Sequence, residues 1–89
     1  MAWTIEYAES TQKDIRKLDP AERRRIREFL EGKVAALDDP RSIGKALSGN
    51  LGGLWRYRVG DCRVIVSIED EHLCVLVLKI GHRKFVYRQ

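Results

Sequence analysis

A strict alternation of side chains over residues 54–66, LWRYRVGDCRVIV, constrains the fold more than any other feature of this sequence. A period of two is typical of a β-strand with two different faces. The apolar face carries Trp55, Tyr57 and Val59. Arg56 and Arg58 lie on the other face, and after the Gly60-Asp61 turn a second strand adds Arg63. Three guanidinium groups on a stiff hairpin, with no acid at the alternate positions, favour an anionic partner, most simply a phosphate.

Length and composition predict one small domain with one hydrophobic core, covering residues 1–89. Hydrophobic residues make up 44% of the chain, which is enough for such a core. The N-terminus, MAWTIEYAES, has no basic patch followed by an apolar stretch, and no long apolar run occurs elsewhere. We therefore expect no signal peptide, no transmembrane span and a cytoplasmic protein.

The cysteines and histidines predict no metal site. Cys62 and Cys74 lie in strand-like runs and are interpreted as reduced, small packing residues. The two cysteines and two histidines lack the close spacing that is typical of zinc sites. We therefore expect neither a metal nor a cofactor.

Positive charge is concentrated in the second half of the chain, although the net charge of the whole is only +4. Residues 41–89 carry nine cationic and four anionic side chains, whereas residues 1–40 carry eight and nine. This asymmetry fits a nucleic acid or an acidic protein as partner, and it fits equally an ordinary basic protein without one.

Periodicity and turn residues predict the order strand, helix, helix and three strands. The predicted elements are a strand over residues 2–7, helices over 10–18 and 20–37, and strands over 54–59, 62–69 and 72–80. Asp19 and Pro20 are typical of a helix start, and the second helix carries an apolar stripe of Ile26, Phe29, Leu30, Val34 and Leu37. Two-residue connections at Gly60-Asp61 and Asp70-Glu71 make the last three strands an antiparallel meander. The expected fold class is α+β, with both helices packed on one face of a single sheet.

The side chains that remain as candidates for chemistry are basic or aromatic. They are Arg56, Arg58, Arg63, His82, Arg83 and Tyr87. The first three lie on adjacent strands and the last three follow the strand that pairs next, so one sheet face is expected to gather all six. For two of them a structural role is an equally good interpretation: His82 as a plain loop residue, and Tyr87 as an aromatic side chain of the core.

This set of residues suits the cleavage of RNA without a metal. The ribose 2′-OH is an internal nucleophile beside the scissile phosphate. The protein has only to orient it, remove its proton, neutralise the phosphate and protonate the leaving 5′-oxygen. Arginine suits the neutralising role, and histidine or tyrosine suits proton transfer or base stacking.

The segments GKALSGNLGGLWRYRVGDCRVIV and KIGHRKFVYR resemble the RelE branch of the RelE/ParE toxin superfamily. The resemblance covers nearly the whole chain and implies the toxin of a type II toxin–antitoxin pair. Such a toxin enters the ribosomal A site and cuts mRNA there, leaving a 2′,3′-cyclic phosphate and a 5′-OH, which inhibits translation. The implied partners are a RelB-like antitoxin, mRNA and the ribosome with its 16S rRNA. Operator DNA is implied only through the antitoxin, and no membrane is implied.

The resemblance also implies roles for individual residues. It assigns catalysis to Arg56, Arg58, Arg63, His82, Arg83 and Tyr87, and RNA binding to Lys45, Arg56, Arg58, Arg63 and Lys84. The best-known RelE proteins carry lysine at the positions of Arg56 and Arg58. Because arginine stays charged at any working pH, we expect these two to bind phosphate and stabilise transition-state charge. Proton transfer then falls to His82 or Tyr87.

Two other functions stay open. A ParE-type toxin has the same fold and inhibits DNA gyrase, but gyrase inhibitors generally lack the basic and aromatic set found here. A catalytically inactive homologue would use its basic sheet face only to bind an acidic antitoxin segment, and arginine in place of lysine is compatible with that reading.

Overall fold

A computed structural model of the chain describes residues 2–82. One five-stranded sheet is built from β1 (Thr4–Tyr7), β2 (Lys45–Ala46), β3 (Trp55–Val59), β4 (Cys62–Glu69) and β5 (Cys74–His82). The strand order is β1-β5-β4-β3-β2, with β1 parallel to β5 and the other neighbours antiparallel. The predicted α+β class is therefore confirmed. The two-residue strand β2 was not predicted, because its glycine-rich surroundings carry no strand pattern.

The hairpin between β3 and β4 has the predicted two-residue turn. Gly60 has a φ of +62° there, a conformation that such turns require and that glycine adopts without strain. The next connection differs from the prediction, because Asp70–His72 form a 3₁₀ turn and Leu73 is left-handed, with φ 47° and ψ 48°. The last strand consequently begins at Cys74 and runs to His82, two residues later at each end than predicted.

Two α-helices, α1 (Thr11–Lys17) and α2 (Pro20–Arg27), follow β1. The predicted N-cap is confirmed, since the Asp19 carboxylate accepts a hydrogen bond of 2.8 Å from the Glu22 amide. The predicted α-helix to residue 37 is wrong in its second half. The helical path continues as a π turn over Glu28–Lys33 and a 3₁₀ turn over Val34–Ala36. Gly32, a poor helix former, lies within the π turn.

The hydrophobic core lies between these helices and one face of the sheet, as predicted. Its fully buried side chains include Leu30, Val34, Tyr57, Val64, Val66, Val75 and Val77. The Tyr57 hydroxyl donates to the Pro40 carbonyl at 2.6 Å, and the Phe29 ring meets the Tyr57 ring edge-on at 5.6 Å. Because Tyr57 faces the helices, its strand neighbours Arg56 and Arg58 face the opposite side of the sheet.

Helix α1 covers the edge of β5 where β1 has ended. The pairing of β1 with β5 reaches only to Val77. Beyond it, the Thr11 hydroxyl donates to the Val77 carbonyl at 2.7 Å, and the Asp14 carboxylate accepts from the Ile80 amide at 3.0 Å. These bonds hold the end of β5 in place and satisfy part of its open edge. No helix among residues 2–82 is long and apolar enough to cross a membrane.

Candidate nucleic-acid interface

The sheet surface turned away from the helices carries the arginines of the hairpin. Arg58 lies directly opposite Arg63, and Arg56 lies opposite Ile65. Directly opposed residues share a face, with Cβ atoms about 5 Å apart. The same registers add a lysine on either side, since Lys45 is opposite Arg56 and Lys79 is opposite Ile65. We call this set the arginine face: Lys45, Arg56, Arg58, Arg63 and Lys79.

The cations of the arginine face differ in how far they are buried. Arg58 and Lys45 are exposed, and Arg56 is partly buried. Arg63 is only 6% exposed, and its Nη1 donates to the Cys62 carbonyl at 3.2 Å. On β5, the strand that pairs with the other edge of β4, the residue opposite Arg63 is Gly81, which has no side chain. Partly desolvated guanidinium groups on a stiff hairpin are suited to bind a phosphate group.

Charge is polarised along this side of the sheet. At the far end of the strands, Cys74 pairs with Glu69 on β4, and Glu6 lies on the same face of β1, two residues after Thr4, the partner of Cys74. The pKa of the Cys74 thiol is raised by burial and by these two carboxylates. An anionic ligand is therefore repelled from the Glu6 end and attracted to the arginine face.

His82 lies on the opposite side of the sheet. It pairs with Cys62, and its Nε2 is 3.8 Å from the Glu22 carboxylate of α2, with 53% of the side chain exposed. A β-bulge is the cause, because the register shifts between Ile65 and Val66 and leaves Leu78 unpaired on β5. The extra residue reverses the alternation of every later residue in the strand. The expectation that one face gathers all six candidates is therefore wrong for His82.

Some candidate residues lie outside the part of the chain that the structure describes, and two residues near the candidates were not predicted. Arg83, Lys84 and Tyr87 lie outside the described residues, so their roles stay predictions. Lys79 was missed, because nothing in the sequence shows that its register places it in a row with Arg56. Glu22 was also missed, since it reaches His82 only through the packing of α2.

The arginine hairpin, the helices on one face and the five-stranded sheet define a small α+β domain with a basic sheet face. The family model for ParE toxins of type II toxin–antitoxin systems (parDE) matches residues 5–87, and the chain belongs to this family. Toxin RelG of Mycobacterium tuberculosis is 32% identical over 89 residues, which is all of both chains. Toxin RelE of the same organism is 39% identical over 61 residues, which cover 68% of this chain and 61% of that protein.

Solved structures agree with these relatives. The RelBE2 toxin–antitoxin complex of Mycobacterium tuberculosis matches with a TM-score of 0.85 and 30% identity, covering 93% of each chain. The archaeal RelE–RelB complex of Pyrococcus horikoshii matches with a TM-score of 0.72 and 28% identity, covering 97% of this chain and 100% of that one. The predicted membership of the RelE/ParE superfamily is thus confirmed, and the protein is a type II toxin–antitoxin toxin.

Proposed function

We propose that this toxin is a metal-independent endoribonuclease that cleaves mRNA in the ribosomal A site and thereby inhibits translation in the cytoplasm. The observation that carries the proposal is the arginine face, where Arg58 and Arg63 oppose each other on paired strands with Arg56 beside them. Two opposed arginines, with a third on the same face, concentrate positive charge there, which favours the binding of an anion. A phosphodiester backbone supplies that anion, and the RelE relatives support RNA as its source.

In the proposed reaction the 2′-OH loses its proton and its oxygen attacks the phosphorus. The bond from phosphorus to the 5′-oxygen breaks, and the 5′-oxygen takes up a proton. The products are a 2′,3′-cyclic phosphate and a 5′-OH. Negative charge grows on the phosphate in the transition state, where Arg58 and Arg63 stabilise it. Neither transfers a proton, because arginine stays charged. Since His82 lies beside Glu22 on the other side of the sheet, we assign proton transfer to Tyr87, the remaining candidate.

We propose a RelB-like antitoxin as the partner that inhibits the toxin. The support is that the structural relatives from Mycobacterium tuberculosis and Pyrococcus horikoshii are complexes of a toxin with its antitoxin. An acidic antitoxin segment on the arginine face would compete directly with RNA. Contacts to 16S rRNA and an indirect link to operator DNA through the antitoxin belong to the same proposal.

Primer extension on a reporter mRNA in a purified translation system, with and without the toxin, tests the proposal. We expect ribosome-dependent cuts inside the reading frame. Arg58→Ala should reduce the rate of cutting by about 10²–10³-fold, the usual effect of removing one transition-state hydrogen-bond donor. Arg63→Ala, Arg83→Ala and Tyr87→Phe should also reduce it. Arg23→Ala is the matched control, because Arg23 is exposed on α2, away from the arginine face.

The result that refutes the site is unchanged cutting by Arg58→Ala and Arg63→Ala. Absence of cutting, with translation unaffected, would instead favour inhibition of DNA gyrase. That second candidate is favoured by the match to the ParE toxin family, and a supercoiling assay tests it. If the protein has no effect in either assay, the result would favour an inactive homologue that only binds an antitoxin.

A further inference from the structure

A cluster of three different metal-ligating side chains lies on the helix side of the sheet. Glu22 belongs to α2, Cys62 begins β4 and His82 ends β5, and one ligand atom from each lies within 4.8 Å of the others. The distances from the Glu22 Oε2 atom are 3.8 Å to the His82 Nε2 and 3.9 Å to the Cys62 Sγ. We propose that this Glu-Cys-His cluster binds a divalent transition-metal ion, with zinc as the ion of best fit.

The spacing of the three ligand atoms is close to that of a tetrahedral zinc site. Zinc bonds of about 2.0–2.3 Å place ligand atoms roughly 3.3–3.7 Å from one another. The distances from the Glu22 carboxylate exceed this range by only a few tenths of an ångström. The His82 side chain is half exposed, which gives its ring room to turn toward the sulfur.

The surroundings leave room for a fourth ligand. A cavity of about 40 Å³ lies beside Glu22 and Cys62, and Arg25 and Asp61 also line it. This volume holds about one water molecule. Arg25 and Asp61 carry opposite charges. The exposed side of His82 gives the ion a path from solvent.

The donor set decides which ions bind. Thiolate and imidazole favour zinc, cobalt, nickel or copper, whereas magnesium and calcium prefer all-oxygen sites. Binding replaces the thiol proton of Cys62, which is released to solvent as the metal–sulfur bond forms. The bound ion would join α2 to the ends of β4 and β5. The sequence predicted no metal site because 40 residues separate Glu22 from Cys62, far beyond the spacing of sequence-readable zinc motifs.

The test is titration of the chelator-treated full-length protein with zinc sulfate by calorimetry and with cobalt chloride by absorption. We expect one site per chain and a thiolate-to-cobalt charge-transfer band. Glu22→Gln, Cys62→Ser and His82→Ala should each weaken zinc binding at least about tenfold, since each removes one direct ligand. The matched controls Cys74→Ser and His72→Ala should bind as the wild type does, because neither residue belongs to the cluster.

Thermal unfolding gives a second readout that does not depend on RNA cleavage. Zinc should raise the Tm of the wild type and of His72→Ala, because it binds the folded chain, and at the same zinc concentration it should raise the Tm of His82→Ala by much less. His82 is half exposed, so His82→Ala tests the cluster even if Cys62→Ser fails to fold. Wild-type protein that binds no zinc, or His82→Ala that binds it unchanged, would overturn the proposal.

Discussion

Truncation of Leu30 to alanine should remove a large share of the free energy of unfolding. Leu30 is 0% exposed, at the centre of the layer between the helices and the sheet. The change deletes three buried carbons, worth about 0.8 kcal/mol each as transfer free energy. Incomplete collapse of the space they leave adds about 1–2 kcal/mol. The expected loss of about 3.4–4.4 kcal/mol compares with a total stability of roughly 4–13 kcal/mol for a chain of this length.

Urea unfolding of purified Leu30→Ala and wild-type protein, followed by circular dichroism, measures this loss. Ile43→Ala is the matched control, since Ile43 is 39% exposed and its truncation should cost less than about 1 kcal/mol. Leu30 faces away from the arginine face, so the folded fraction of Leu30→Ala should cut mRNA at the wild-type rate. A loss below about 1 kcal/mol, or no difference from Ile43→Ala, would refute the packing argument.

Two further predictions concern single residues with unusual environments. Burial raises the pKa of Tyr57 to about 12. The contribution of the protonated Tyr57 hydroxyl to the free energy of unfolding is therefore complete below pH 10, the ordinary pKa of tyrosine. It is lost as the pH rises through about 12. Tyr57→Phe should lower the free energy of unfolding by about 1 kcal/mol near pH 8, because the hydrogen bond to Pro40 is lost. Between pH 10 and 12 the stability of this variant should fall less steeply than that of the wild type. Parallel unfolding curves for the two proteins would contradict this. Leu73 has a left-handed backbone and is 39% exposed. Because asparagine adopts this conformation more readily than leucine, Leu73→Asn should raise the free energy of unfolding in urea by about 0.5–1 kcal/mol. A destabilised variant would show that packing of the leucine side chain outweighs the backbone strain.

Local sequence patterns were sufficient for the elements whose signals are short-range. The alternation through Tyr57 predicted β3 and its buried face, and the Gly60-Asp61 turn predicted the hairpin. The carboxylate of Asp19 predicted the start of α2. These patterns failed where longer-range packing competes with local preference. Examples are the π turn after Arg27 and the extra turn before Cys74.

The sequence by itself determined that Arg56, Arg58 and Arg63 share a face. A two-residue turn fixes the register of the hairpin, and side chains alternate with a period of two on either side of it. Only the tertiary structure decided the side of His82. The bulge that leaves Leu78 unpaired arises from the pairing of β4 with β5, and one extra residue exchanges the two faces of a strand. That exchange separates His82 from the arginines and brings it to Glu22.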